Sequence, residues 1–336
     1  MHAHCIYNSY DINLLSSACH NTGMKLYAPR KSYRKGYFPV GDGHELFYAL
    51  YGNPEGIPVL FVHGGPGGGC GKSAHRHFDP KKFNILTVDQ RGAQYSRPYA
   101  SLRANTTQKL VQDFRKFLKF LKIKKVFLFG GSWGSCLSLC YAIKYPKTVF
   151  GMVLRGIYLG TRYENDYFLN GGARTHFPDV WERFVSMVPK RHKKHPARYY
   201  WKMMHSKNPK TVKKYCYEWA LYESSMVHLK YDPASIRKEL RGKWVISIAK
   251  LEAHYLMKDC FLPPNYIMRN VKKISQIPLS IVHGRYDFVC TPDIAYALHN
   301  ALPKSKLFFV LAGHSSADPE MRSRMMIEIH QMAKRF

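Results

Sequence analysis

Residues Gly130-Gly131-Ser132-Trp133-Gly134 set a serine in the pattern G-x-S-x-G, directly after the apolar run Val126 to Phe129 and before a stretch of small and apolar residues ending at Cys140. A serine on a tight turn between a strand and a helix is lifted clear of a sheet as a nucleophile, and the flanking glycines leave the backbone path and the approach of substrate open. A hydroxyl is weakly nucleophilic at neutral pH, so Ser132 requires a general base and a group that orients the base. Two downstream segments offer them. The run Leu279 to Val282 leads into His283-Gly284-Arg285-Tyr286-Asp287, and Leu307 to Leu311 leads into Ala312-Gly313-His314-Ser315. Of the 17 histidines, only His314 sits on a Gly-flanked loop just after the last strand-like run. The chemistry expected is acyl transfer, with Ser132 as nucleophile, His314 as general base and Asp287 as the orienting acid.

Upstream, Val59 to Val62 leads into His63-Gly64-Gly65-Pro66-Gly67-Gly68-Gly69. Such a loop presents a backbone N–H towards a developing oxyanion, here that of Gly65, while the N–H of Trp133 supplies the second donor. A phosphate-binding loop is the rival, because Gly71-Lys72-Ser73 ends as one would. Its first glycine would have to stand five positions before Gly71, and that residue is Pro66.

These residues need a sheet to hold them. Strand-length apolar runs occur at Leu46 to Leu50, Val59 to Val62, Ile85 to Val88, Val126 to Phe129, Met152 to Leu154, Leu279 to Val282 and Leu307 to Leu311. Between two of them, Asn105-Thr106-Thr107 precedes Leu110, Val111, Phe114, Phe117, Leu118 and Leu121, an apolar stripe at helical spacing after an N-cap. From Tyr158 to Asn270 the strand signal vanishes and helical stretches take over, including Val180 to Val188, Pro196 to Met204 and Lys213 to Val227. The order Ser, acid, His with this alternation predicts an α/β class chain with the α/β-hydrolase fold, a mostly parallel sheet flanked by helices. The expected division is a core of 26–157 and 271–336, a helical cap (lid) of 158–270 inserted between strands, and a disordered extension at 1–25. Residues 1–23 read as an extension or a start-site artefact, because Met24-Lys25-Leu26-Tyr27 makes a natural beginning.

A length of 336 residues fits two domains or one large domain with an insertion, and 46% hydrophobic against 22% charged residues exclude a disordered chain. Eight cysteines without a CxxC pair read as reduced thiols, and no apolar run is long enough to span a bilayer. No signal peptide is read at the start, and no clustered ligand set suggests a metal or other cofactor. The net charge of +30 raises nucleic acid or anionic membrane as partners. It is spread evenly, +11 over the 113 residues of 158–270 and +19 over the remaining 223, so neither partner is expected.

Taken together, HGGPGGG, DQRGAQYS, GGSWGS, AKLEAHY, GRYDFVCTP and AGHSS resemble the proline iminopeptidases, serine aminopeptidases of the α/β-hydrolase fold. The resemblance runs from near Leu26 to His314 and covers about nine tenths of the chain. It implies a cytoplasmic enzyme acting on peptides with a free N-terminal proline. It further implies that Glu223 and Glu252, in the lid, hold the substrate's α-amino group, and that Arg155, Tyr158 and Phe168 contribute to a proline pocket. Two departures stand out: Leu256 where relatives usually carry an aromatic residue, and Gln94-Tyr95 where they commonly carry Gly-Arg. The remaining readings are an esterase or broader aminopeptidase on the same fold, and a basic nucleic-acid-binding or scaffold protein with a vestigial site.

Overall fold

Each β-branched or aromatic run forms a strand, and all join one eight-stranded sheet in the order β1-β2-β4-β3-β5-β6-β7-β8. The computed structural model describes residues 23–335. Its strands are β1 (Arg34–Gly41), β2 (His44–Gly52), β3 (Ile57–Val62), β4 (Phe83–Val88), β5 (Val126–Ser132), β6 (Val149–Ile157), β7 (Leu279–Gly284) and β8 (Lys306–Val310). Strands β3 to β8 are mutually parallel, while β1 and β2 form an antiparallel hairpin against β4. β1 was not expected, because its sequence RKGYFPVG has no apolar run; it is an edge strand and tolerates Pro39 for that reason. The parallel strands end at one edge of the sheet, so the loops after β3, β5, β7 and β8 converge there.

Helices cover both faces. Helix α1 (Thr107–Phe120) begins where Thr106 accepts a hydrogen bond from the Lys109 N–H, and buries Leu110, Phe114, Phe117 and Leu118. It lies with α2 (Trp133–Lys144) and α10 (Pro292–Ala301) on one face, whereas α11 (Pro319–Ala333) packs Met321, Met325 and Ile329 on the other.

Between β6 and β7 run α3 (Arg162–Leu169), α4 (Pro178–Ser186), α5 (Pro196–Met204), α6 (Pro209–Ser224), α7 (Pro233–Glu239), α8 (Trp244–Leu256) and α9 (Tyr266–Asn270). Most of them share a separate apolar cluster centred on Phe184, Tyr200, Trp219 and Ala249. Four open on proline, whose fixed φ and missing N–H suit the first helical position.

The expectation for the extension falls mostly outside the described residues. Within them, Met24 already donates its N–H to Ser323 Oγ at 3.0 Å, and Tyr27 stacks on His330, so the chain is docked on α11 before Leu26. No helix among the described residues is long and apolar enough to cross a membrane.

Candidate active site

Ser132 closes β5 with φ 57° and ψ −130°, outside the ordinary regions for a residue with a side chain. Such a conformation costs about 1–3 kcal/mol and persists only where its surroundings over-determine it. The surroundings are tight. A Cβ on Gly134 would lie 2.1 Å from the Val62 carbonyl oxygen, so the first turn of α2 can press against β3 only with glycine there. Ser135 Oγ donates to the Ser132 carbonyl at 2.7 Å and locks the turn from below.

Asp287 and His314 meet on the loops after β7 and β8. His314 Nδ1 lies 2.7 Å from Asp287 Oδ2, and Asp287 Oδ1 accepts the N–H groups of Val289 and Cys290 at 3.0 and 2.9 Å. A carboxylate only accepts, so Nδ1 carries the proton and Nε2 is left as the basic nitrogen. Burial alone pushes Asp287 upward, but the His314 and His283 rings and the Cys290 N–H outweigh it and hold the carboxyl below its ordinary value. Asp287 is therefore ionised at neutral pH.

The glycine loop after β3 lies against the nucleophile, since a Cβ on Gly64 would sit 3.4 Å from that of Ser132. Gly65 lines the cleft beside Ser132, and Trp133 opens α2, where its N–H has no partner within the helix. Gln90 joins the two arms. Its side chain donates to the His63 carbonyl at 2.9 Å and accepts from Trp133 Nε1 at 2.8 Å, while its own N–H donates to His63 Nε2 at 2.9 Å. Sequence reading did not single out Gln90. Its signal was position, directly after the buried run of β4 and inside the DQRG segment.

The cleft over Ser132 is lined by Gly65, Tyr158, Phe168, Leu256 and Val289, together with three acids, Glu164, Glu223 and Glu252. Glu252 is 2% exposed and accepts from Trp219 Nε1 at 2.8 Å. Burial pushes its carboxyl well above the ordinary range, and the adjacent Glu223 adds to this. Glu223 is also raised by burial, against the opposing pull of Glu252, His314 and Arg155. Ionising both of these neighbouring carboxyls is costly, and a cation placed between them would relieve the cost. Glu164, the third acid, is engaged: it accepts from the Leu159 and Thr161 N–H groups at 2.9 Å each and caps α3. Tyr158 is held by its hydroxyl to Asn165 Oδ1, and Phe168 packs edge-on against Tyr222.

Arg155 is the exception among the expected pocket residues. It stands outside the cleft, beneath the catalytic turn, where it donates to the His314 carbonyl at 2.8 Å. A Cβ on Gly131 would lie 2.1 Å from its Nε, so Arg155 clamps the His314 loop to the residue before the nucleophile. Its place on β6 explains this, because a side chain next to Gly131 in register points under the turn rather than over it. Gln94, one of the two departures, donates to the Gly68 carbonyl at 2.9 Å and so braces the glycine loop. Its φ of 41° is left-handed, a conformation that glycine adopts most readily. A larger cleft of about 740 Å³ with its mouth lies among the helices of 158–270 around the Arg183–Glu218 pair and contains none of Ser132, Asp287 and His314.

Comparison with known proteins identifies the fold and the family. Residues 57–320 match the family model for the α/β hydrolase fold. A probable proline iminopeptidase of Leptolyngbya boryana is 38% identical over 90% of this chain and 95% of its own length. The proline iminopeptidase of Arabidopsis thaliana is 38% identical over 91% of this chain and 82% of its own. The chain belongs to the proline iminopeptidase family. Among solved structures, a proline iminopeptidase from Mycobacterium smegmatis aligns with a TM-score of 0.61 at 18% identity, over 90% of this chain and 99% of that one. A putative aryl esterase from Burkholderia cenocepacia aligns equally well, at 0.61 and 16% identity, over 90% of this chain and all of the other. At such identities the likeness speaks for the fold alone, and specificity has to be argued from the cleft.

Proposed function

We propose that the protein is a serine aminopeptidase that releases N-terminal proline from peptides through an acyl-enzyme. The observation that carries this reading is the acidic pair of Glu252, buried, and Glu223, half-buried, facing the same cleft as Ser132. A secondary ammonium entering the cleft offers both carboxyls a cation they can pair with. An acylated or internal proline brings no charge and leaves the pair unsatisfied, so exopeptidase selectivity follows from electrostatics.

The scissile carbonyl is thereby set over Ser132. His314 Nε2 takes the hydroxyl proton as Oγ attacks, Asp287 stabilises the imidazolium, and the N–H groups of Gly65 and Trp133 receive the oxyanion. His314 then protonates the leaving amine, and the shortened peptide departs. Water, deprotonated by the same nitrogen, attacks the prolyl ester and frees proline. Tyr158, Phe168 and Leu256 supply apolar walls for the pyrrolidine ring. The helices of 158–270 act as the cap that excludes water from this step, and the unpaired thiols Cys136, Cys140 and Cys260 suit a reducing, cytoplasmic setting.

The test compares Ser132→Ala with the unaltered protein on a prolyl arylamide. Loss of turnover to background with unchanged thermal unfolding is expected; undiminished turnover removes Ser132 as the nucleophile.

A further inference from the structure

The charge that is even along the chain is uneven in space. Strands β5, β6, β7 and β8 are neighbours in the sheet and all begin at the edge opposite Ser132. Each is prefaced by lysines: Lys122, Lys124 and Lys125 before β5, and Lys144 and Lys147 before β6. Lys272 and Lys273 precede β7, Lys304 and Lys306 flank the start of β8, and Lys334 and Arg335 end the chain of α11 at the same edge. All eleven are exposed, and none forms an ion pair among the described residues. The segments 121–125, 144–148, 270–278, 302–306 and 331–335 contain no Asp or Glu. Adjacent strands lie about 4.8 Å apart, so strand order converts a dispersed sequence feature into a row of cations.

The row is grooved. One cleft is lined by Lys125, Lys147 and Lys273 and the next by Lys304, Lys306 and Arg335; they meet at Pro278, and each encloses about 710 Å³ with its mouth. The one carboxyl on their walls, Glu328, is buried and already accepts from Ser280 Oγ at 2.8 Å and from Arg324 Nη1 at 3.4 Å.

We propose that this edge binds the phosphodiester backbone of a nucleic acid strand lying across the strand ends. A flexible linear polyanion can enter both clefts, whereas a flat bilayer reaches only their rims. Ten of the eleven cations are lysines, point charges without the planar fork that reads bases, so the binding is independent of sequence. β7 is six residues long, which puts the edge about 20 Å from the nucleophile and leaves the cleft free while the edge is occupied. The expectation that no nucleic acid partner exists rested on linear evenness of charge, which the sheet order undoes.

The experiment is fluorescence anisotropy of a labelled oligothymidylate against the full chain at rising salt. Engagement of the six cleft cations gives a logarithmic salt slope of about −4, or binding about 300-fold weaker at 200 mM than at 50 mM salt. The variant K125Q/K147Q/K273Q/K306Q is expected to bind more weakly at low salt, and its affinity to fall only about 7-fold over the same range. A control of equal charge loss on the cap, K190Q/K193Q/K194Q/K213Q, is expected to bind as the unaltered protein does, and both variants are expected to retain prolyl-arylamide turnover. Equal loss in the control, absence of oligonucleotide binding, or binding to phosphatidylserine vesicles without oligonucleotide binding would each overturn the proposal.

Discussion

Replacing Gln90 by leucine probes how the two arms of the oxyanion site are held together. Leucine keeps the approximate volume and the backbone bond to His63 Nε2, but removes the side-chain bonds of 2.9 Å to the His63 carbonyl and 2.8 Å from Trp133 Nε1. Both partners are buried, and each unsatisfied group costs about 1–3 kcal/mol, so a stability loss of about 2–6 kcal/mol is expected in urea unfolding. Catalysis loses more selectively. Removing an oxyanion donor outright costs about 10²–10³ in kcat, and here the Gly65 and Trp133 donors are displaced rather than deleted, which sets the expectation at about 10- to 100-fold. Ground-state contacts in the cleft are untouched, so KM should stay within about 2-fold. Gln90→Glu is the control: it still accepts from Trp133 but cannot donate to His63 until protonated, so its kcat relative to the unaltered enzyme should rise as pH falls. A Gln90→Leu enzyme with full kcat and lowered stability would leave Gln90 a structural residue only.

The carboxyl pair makes a paired prediction. Glu252→Gln should lower kcat/KM on prolyl arylamide about 10- to 150-fold, the worth of a charge-assisted contact, and leave a neutral ester unaffected. Because burial raises the Glu252 carboxyl in the folded protein, its cost to stability is absent below the unfolded value of about 4.5 and complete above the folded one. The same variant should therefore melt higher than the unaltered protein at pH 8, with the gain vanishing towards pH 4; no gain at pH 8 would show that the pair is not strained. In the unaltered enzyme kcat/KM should climb with pH through a value above the ordinary carboxylate range. Asp287→Asn should lower kcat by about 10⁴-fold with the fold intact, by favouring the wrong His314 tautomer. Leu256→Phe restores a flat ring to the cleft wall and should raise the preference for prolyl over alanyl arylamide about 2- to 10-fold; an unchanged ratio would remove Leu256 from the specificity wall.

Much of the fold was legible because the strands are β-branched runs bounded by Gly and Pro, and because the helices of 158–270 so often start on proline. Helix α5 coincides with the stretch Pro196 to Met204 that the sequence suggested. Helix α8 was not foreseen, since WVISIAKLEAHYL is buried on nearly every side and shows no helical period. α6 begins at Pro209, earlier than the apolar pattern indicated, because Asn208 caps it with exposed residues in its first turn. At the site, Ser132, Asp287 and His314 announce themselves by strand-end position. Arg155 and Gln90 do not, because what they do depends on which strands are neighbours: β6 beside β5 carries Arg155 under the nucleophile turn, and β4 beside β3 carries Gln90 to the glycine loop. The lysine row is hidden from sequence for the same reason.

The most direct measurement is turnover of prolyl arylamide beside its N-acetylated form and a p-nitrophenyl ester. The free amine is expected to be hydrolysed, acetylation to lower kcat/KM by about 100-fold or more, and the ester to be a poorer substrate than the free prolyl amide. Equal rates on the free and acetylated prolyl substrates, or faster turnover of the ester, would contradict this expectation.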